Sequence, residues 1–353
     1  MASLQAVFFD EGPGFFLIRV LGQGVTGSAC LVRSSQDGEL YVRKEELSPL
    51  EQHRSPKIPA TEIKNALLVK SIPGVAKVKG WVNYQDNKNG RVFPVSYWSY
   101  CNAGTLHTVI TEAEKTGRYI PETWVCEWFS DMLSIILNIH QKGLTHNDGH
   151  EKNWFMHRSQ NCETPLITLG DFGHSTISAG TPDWPRRCYE DFCFIQGDVA
   201  RMLGMYVDQH GKLMYSRAPN RSYTGEMINL IADMSDILRS CPRLPDLNRK
   251  MARLRDDLLH HADWLRAEGY RTRNGYLAKP YVPTGDFVEL KHMMPTIERN
   301  SRAFKKWCVA NVQRRQPDLV KLTERPRKFK NGFKIAAEDD WIAKPGNRKY
   351  KIK

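Results

Sequence analysis

The 353-residue chain has no uncharged apolar run approaching the ~18 residues of a bilayer-spanning helix, so no segment reads as a transmembrane span. Nor does it have a Cys-x-x-Cys pair. Its eight cysteines (Cys30, Cys101, Cys126, Cys162, Cys188, Cys193, Cys241 and Cys308) are scattered, and the nearest two, Cys188 and Cys193, have no second pair at zinc-ligand spacing. This pattern argues against a structural zinc site and favours reduced thiols in an intracellular protein, cytoplasmic or nuclear. The opening stretch "MASLQAVFFDEGPGFF" lacks a basic start and meets acids by Asp10, which is not the pattern of a secretory signal. No internal repeat is present.

What remains is an ordinary globular composition, with 41% hydrophobic and 25% charged residues. The length exceeds what one compact core usually organises, so two lobes are expected. The net charge of +12 is unevenly placed: residues 291–353 hold 18 Lys+Arg against 6 Asp+Glu, and the other residues sum to zero. A neutral body carries a basic C-terminal extension.

The first hundred residues read mainly as strands. "FFLIRVLG", "SACLVRS" and "ELYVRKE" are rich in β-branched and aromatic residues, with "SQDGEL" as the hairpin turn between the last two. In "PATEIKNALLVKSI", Ile63, Leu67, Leu68 and Ile72 recur at helical spacing, and "GWVNYQ" and "VFPVSYWSY" return to strand. From Pro121 to Gly143 a broad apolar helical face appears, with the proline at its start and the glycine at its end. Further helices are expected at 198–208, 223–240 and 244–267, and 270–290 reads as loop. The expected plan is α+β: a small strand-rich lobe (1–98), a link (99–106), a larger helical lobe (107–290) and the basic extension (291–353).

Hydrogen-bonding side chains concentrate in "LTHNDGHEKNWF", Leu144 to Phe155, between two apolar flanks. A polar surface turn would explain it alone, but four further segments fall into order around it. "LGQGVTGSA" places Gly22, Gly24 and Gly27 as G-x-G-x-x-G between two strands, which suits a loop over nucleotide phosphates; a dinucleotide site would need a helix next. Lys44 ends a strand, and an ammonium aimed at phosphate needs a carboxylate to orient it. Glu62 on the next helix is best placed, because Glu45 points to the opposite face of the strand. "ITLGDFGHS" supplies Asp171-Phe172-Gly173, an acid leaving a strand and suited to metal binding beside a mobile loop. "GDVARMLGMYV" puts Asp198 at the start of an apolar helix, most simply as its N-cap.

In this order the segments resemble the eukaryotic protein kinase family, as a divergent member, from roughly Arg19 to Gly204. "SYCNAGTLHTVI" also looks like that family's hinge and the helix after it. The resemblance implies a two-lobed kinase-like fold and ATP- and Mg²⁺-dependent transfer of the γ-phosphate to Ser or Thr hydroxyls of a protein substrate. It further implies that the backbone of Gly22, Gly24 and Gly27 covers the phosphates, and that Lys44, held by Glu62, binds the α- and β-phosphates. Ala29 and Val42 would roof the adenine, and the backbone near Ser99 and Cys101 would hydrogen-bond it. Asn153 and Asp171 would hold Mg²⁺, and Asp148 would accept or orient the proton of the attacking hydroxyl. His150 stands where the family carries a lysine that touches the γ-phosphate, and Asp198 would brace the catalytic loop from below.

Several positions depart from the family. Asn147 replaces the arginine that pairs with an activation-loop phosphate, so switching by that phosphate is not expected. "GTPDWPRRCYE" resembles the G-T-P-x-Y segment, which gives Thr181 a role in Ser/Thr substrate binding. The Ala-Pro-Glu that should follow is missing, leaving Glu190 as a candidate for its buried ion pair. Two other readings stay open: a pseudokinase acting as a nucleotide-binding or scaffold module, and a small-molecule phosphotransferase of the aminoglycoside or choline kinase type. The latter shares His-x-Asp-x4-Asn, but the glycine loop, Asp-Phe-Gly and the GTPDW segment count against it. The tail interleaves Trp307, Phe329 and Phe333 with basic residues, a composition suited to nucleic acid or an acidic partner.

Overall fold

The computed structural model describes residues 15–23, 27–34, 39–46, 60–85, 92–158, 164–210, 213–215, 223–240 and 243–268. Gly24, the hairpin turn at 35–38, the 270–290 segment and the basic tail with Trp307, Phe329 and Phe333 lie outside them. The chain divides into two compact units. One takes the described residues up to Lys64 together with Lys77–Tyr100, and the other takes Asn65–Ala76 and the described residues from Cys101 onward.

In the first unit, β1 (Phe15–Gln23), β2 (Gly27–Ser34), β3 (Leu40–Glu46), β4 (Val78–Gln85) and β5 (Val92–Ser99) form one antiparallel sheet in the order β1-β2-β3-β5-β4. Residues two apart on a strand share a face, so one side of the sheet gathers an apolar cluster of Cys30, Val32, Val95 and Tyr97. Phe15 stacks on Tyr97 with ring centroids 4.4 Å apart and meets Tyr41 edge-on at 6.1 Å. The opposite side carries Ala29, Val42 and Lys44, since Ala29 pairs with Lys44 and Val42 lies two residues before it.

Helix α1 (Thr61–Leu68) corrects the sequence reading of its buried side. Ile63 and Ile72 are buried as expected, but Glu62, Asn65 and Ala66 share the inner face, with Val69 just past the helix end, while Leu68 is 41% exposed. The reason is that two polar residues on the inner face find buried partners, so the apolar stripe is rotated from the position that counting leucines suggests.

The second unit is built around α3 (Glu122–Gln141), which follows α2 (Leu106–Thr116). Trp124, Val125, Trp128, Phe129, Met132, Leu133, Ile136 and Ile139 are all buried, and so are Glu127, Ser130 and His140, so α3 is enclosed on most of its surface. Each such apolar side chain contributes roughly 1.5–3 kcal/mol on burial. The one polar atom of Trp128 is satisfied, Nε1 donating to Pro165 O at 2.7 Å. Gly143 closes the helix with φ of 77°, a conformation that favours glycine.

Short paired strands then hold the loops that matter: β6 (Leu144–Thr145) with β9 (Thr176–Ile177), and β7 (Trp154–His157) with β8 (Leu166–Leu169). A long α4 (Trp184–Met202), the hairpin β10 (Met205–Val207) and β11 (Leu213–Tyr215), and α5 (Gly225–Ser240) and α6 (Leu244–Ala267) complete the unit. The helix expected at 198–208 instead begins fourteen residues earlier and ends at Met202. Cys188, Phe192, Ile195, Val199 and Met202 continue its apolar stripe, and Gly204 with φ of 72° turns the chain into the hairpin. Asp198 is therefore inside a helix, not its N-cap. Among the described residues no helix is long and apolar enough to cross a membrane.

Candidate active site

In the strand unit, Lys44 Nζ meets Glu62 Oε1 at 2.8 Å. The Glu62 side chain is 6% exposed, so this is a sheltered pair rather than a surface one. Glu45 takes Arg43 on the other face of β3, at 3.1 Å, as the two-residue period of a strand requires. Gly22 lies in β1, where nothing stands near an added Cβ, whereas a Cβ at Gly27 would collide with the Glu45 carbonyl oxygen. Gly27 thus has a structural duty in the β2–β3 pairing independent of any ligand. Ser99 N–H donates to Lys77 O at 3.0 Å within the sheet.

In the helical unit, the polar loop between β6 and β7 is organised around Asp148. Asn153 Nδ2 donates to Asp148 O at 2.8 Å and to its Oδ2 at 2.9 Å. His150 Nε2 stands 3.3 Å from Asp148 Oδ1, and His150 Nδ1 accepts the Lys152 N–H at 3.2 Å. With Nδ1 an acceptor, the hydrogen-bond network assigns the proton to Nε2, which turns it toward Asp148. Asn153 thus holds one oxygen of the carboxylate, and His150 stands beside the other.

The loop rests on a group that sequence reasoning did not identify. Asp191 of α4 is fully buried and accepts the N–H groups of His146 at 2.9 Å and Asn147 at 2.7 Å, and His140 Nε2 of α3 meets its Oδ2 at 2.9 Å. Asp198 shares the bracing that was expected of it alone, taking the Glu151 N–H at 3.1 Å. The available signal was an ionisable residue on an otherwise apolar stripe: Asp191 falls beside Cys188, Phe192 and Ile195.

Burial, and then the neighbouring Glu151, raise the Asp198 carboxyl well above its ordinary 3.8. For Glu151 burial works the other way, but hydrogen bonding with Asp198 and the charge of Arg201 outweigh it and hold the group at about 2. A raised native pKa means that Asp198 adds stability that is complete below about 3.8 and is lost as pH rises through the raised value. Asp198→Asn, which keeps an acceptor for the Glu151 N–H, is therefore expected to fold and to gain stability relative to wild type as pH rises. Urea unfolding across pH 4–8 checks this, and parallel curves would contradict it.

Asp171 leaves β8 with φ of 60° and Asn147 has φ of 62°, the only non-glycine residues in the left-handed region among those described. After Asp171, a single 3₁₀ turn (Phe172–His174) buries Phe172 completely, with the His146 ring edge-on at 5.0 Å. His146 Nε2 reaches Gly170 O at 3.0 Å, and burial holds its imidazole below the ordinary 6.5, against the pull of Asp191. Asn147 Nδ2 donates to His174 O and Thr176 Oγ1, each at 2.9 Å. The residue that replaced an arginine is thus a direct tie to the segment after Asp171.

Other expectations fare differently. Burial raises the Cys101 thiol to about 12, against a hydrogen bond with Thr168, so its side chain stays a neutral thiol. Thr181 Oγ1 donates to Ser178 O at 2.7 Å. Glu190 pairs with Arg186 on the exposed side of α4, so it does not supply the buried ion pair considered for it.

The protein kinase domain family model matches residues 15–194, a little over half the chain. The serine/threonine-protein kinase Nek4 of Mus musculus is 28% identical over 162 residues, covering 45% of this chain and 19% of the relative. Nek11 of Homo sapiens, also named a serine/threonine-protein kinase, is 27% identical over 176 residues, 48% of this chain and 25% of the relative. The Wee1-like protein kinase 2 of Xenopus tropicalis is 26% identical over 176 residues, 46% of this chain and 30% of that protein. The chain thus spans less than a third of the length of these curated relatives. Among solved structures, the BubR1 kinase domain superposes with a TM-score of 0.53 at 18% identity, covering 72% of this chain and 82% of that one. That likeness is one of fold, an α+β kinase fold with a five-stranded antiparallel sheet followed by a helical lobe. Read together with the matched span, it means that the chain belongs to the protein kinase domain family.

Proposed function

We propose that the chain is an ATP- and Mg²⁺-dependent protein kinase that transfers the γ-phosphate to Ser or Thr hydroxyls of a protein substrate. The observation that carries this reading is the Lys44–Glu62 pair, a sheltered carboxylate holding a strand ammonium at 2.8 Å. A buried carboxylate that holds the ammonium presents its charge in one fixed position, and binding the α- and β-phosphates is the work that suits it. Relatives named serine/threonine-protein kinases support the choice of acceptor.

The residues assigned to the cation suit Mg²⁺. Asn153 has its amide nitrogen committed to Asp148, leaving Oδ1 as the oxygen donor, and Asp171 adds a carboxylate. An ion held by these two oxygens would take its remaining ligands from water and the phosphates. When bound, Mg²⁺ neutralises charge on the phosphate oxygens. Asp148, held by Asn153 with His150 beside it, accepts the proton of the attacking hydroxyl. Backbone N–H groups of Gly22–Gly27 cover the phosphates, and Ala29 and Val42 form the apolar face for adenine. Since Ser99 N–H is already used in the sheet, the adenine contact falls to the backbone of Cys101.

His150 acts here on Asp148 rather than on the γ-phosphate. His150→Ala is expected to lower kcat roughly fivefold, about 1 kcal/mol for loss of a close electrostatic contact with Asp148, with KM for ATP unchanged. Steady-state kinetics check this; a raised KM with unchanged kcat would return His150 to the phosphate.

The same contact favours a second reading, a silent nucleotide-binding module, because His150 stands against an oxygen that a base needs. Incubating the full chain with γ-labelled ATP, Mg²⁺ and a mixed protein substrate separates the two. Label on Ser or Thr supports the kinase, whereas ATP binding without transfer supports the module. Label only on a small-molecule acceptor would overturn both.

A further inference from the structure

We propose that Asn65 of α1 is a positioning residue that fixes the turn after Asp171 and so aims the Asp171 carboxylate at the cation. This rests on the reading of Asp171 as a Mg²⁺ ligand and adds a residue that no motif contains.

Asn65 is 2% exposed, on the inner face of a helix where Ile63, Ala66 and Val69 are apolar. A polar amide in that setting is unfavourable unless its hydrogen bonds are made. Its Nδ2 donates to Ser175 O at 2.7 Å and lies 3.5 Å from Phe172 O, the shorter bond carrying the tie. Both partners are acceptors, so only the amide nitrogen can face them, which fixes the orientation of the side chain. The two carbonyls bracket the 3₁₀ turn at Phe172–His174, and Ser175 N–H itself donates to Phe172 O at 3.2 Å.

That turn begins at Asp171, whose backbone has the left-handed φ of 60° and ψ of 69°. Such a conformation at an aspartate persists only where the surroundings over-determine it. On one side His146 holds Gly170 O at 3.0 Å; on the other, Asn65 holds the carbonyls after Asp171. Asn147 anchors His174 O, but it lies on the catalytic loop itself, whereas Asn65 ties the turn to the helix that also bears Glu62. Without Asn65, Phe172 O and Ser175 O lose their buried side-chain donor, and the turn can relax toward ordinary backbone angles that point Asp171 elsewhere.

The test uses the full chain with Asn65→Asp, which keeps the shape but sets a carboxylate against two carbonyls. Asn65→Ser, too short to span both carbonyls, serves if the first fails to fold. Two quantities are read: amide hydrogen exchange in the peptide containing Gly170–Thr176, and the Mg²⁺ concentration that half-saturates stabilisation by ATP. The expected result is faster exchange confined to that peptide and a half-saturating Mg²⁺ concentration raised about tenfold, as for loss of an outer partner of a metal ligand. Thermal stability without nucleotide falls in either variant, since a buried group loses its partners, so both quantities are read at a temperature where the variant is folded. Unchanged exchange, or faster exchange with an unchanged Mg²⁺ requirement, would overturn the proposal. If the wild-type protein itself shows no Mg²⁺-dependent response to ATP, the functional reading fails and the metal role of Asn65 falls with it, a failure recognised because it appears in the wild type.

Discussion

Asp148→Asn is expected to lower kcat by about 10²–10⁴-fold, the range for loss of a general base, while leaving folding and the ATP-induced rise in Tm intact. Asparagine matches the carboxylate in shape and can still accept the Asn153 Nδ2 hydrogen bond now made at 2.9 Å, so the loop should keep its conformation. What disappears is the capacity to take a proton from the attacking hydroxyl. Steady-state kinetics with a thermal shift on the same sample check both halves. A variant within about threefold of wild type would mean that Asp148 orients the hydroxyl without accepting its proton, or that another group does so.

The largest effect on stability is expected at Asp191. Its carboxylate is fully buried and receives two backbone N–H groups and the His140 ring. Asp191→Leu leaves those donors without an acceptor in an interior that water does not reach, which costs about 3–5 kcal/mol. In a unit of this size that is a fall in Tm on the order of 10 °C, and turnover should fall as well because His146 and Asn147 begin the catalytic loop. Calorimetry of wild type, Asp191→Leu and Asp191→Asn measures it. Asn, which still offers one oxygen, should fall between the two. A leucine variant melting within about 2 °C of wild type would show that the loop is held by other contacts.

Local chemistry made much of this legible in the sequence. Glu62 could be chosen over Glu45 as the partner of Lys44 because side chains alternate along a strand, and the pair forms at 2.8 Å. The helices expected at 223–240 and 244–267 form at Gly225–Ser240 and Leu244–Ala267. Misreadings arose where a polar residue faces inward. On α1, Asn65 was passed over, because its partners lie 107 and 110 residues away. On α4, the start was placed too late because Arg186, Arg187 and Glu190 dilute the first turns, and Asp191 was passed over although it sits on the apolar stripe. Its role depends on backbone N–H groups 44 and 45 residues earlier, which no helical period reveals. The replacement of an arginine by Asn147 was readable only as a loss; its hydrogen bonds to His174 and Thr176 make it a tie in its own right.

These ties have a consequence for regulation. The segment after Asp171 is held by Asn65 at Ser175 O and by Asn147 at His174 O, while His146 holds Gly170 O just before it. We therefore expect phosphate transfer that does not depend on phosphorylation of that segment. The most direct measurement is transfer of γ-labelled phosphate to protein Ser and Thr by the full chain treated with phosphatase, beside untreated protein and Asp148→Asn. The account predicts equal transfer by treated and untreated wild type and almost none by the variant. Equal background in wild type and Asp148→Asn, with ATP·Mg²⁺ still raising Tm, would contradict it and leave a nucleotide-binding module in its place.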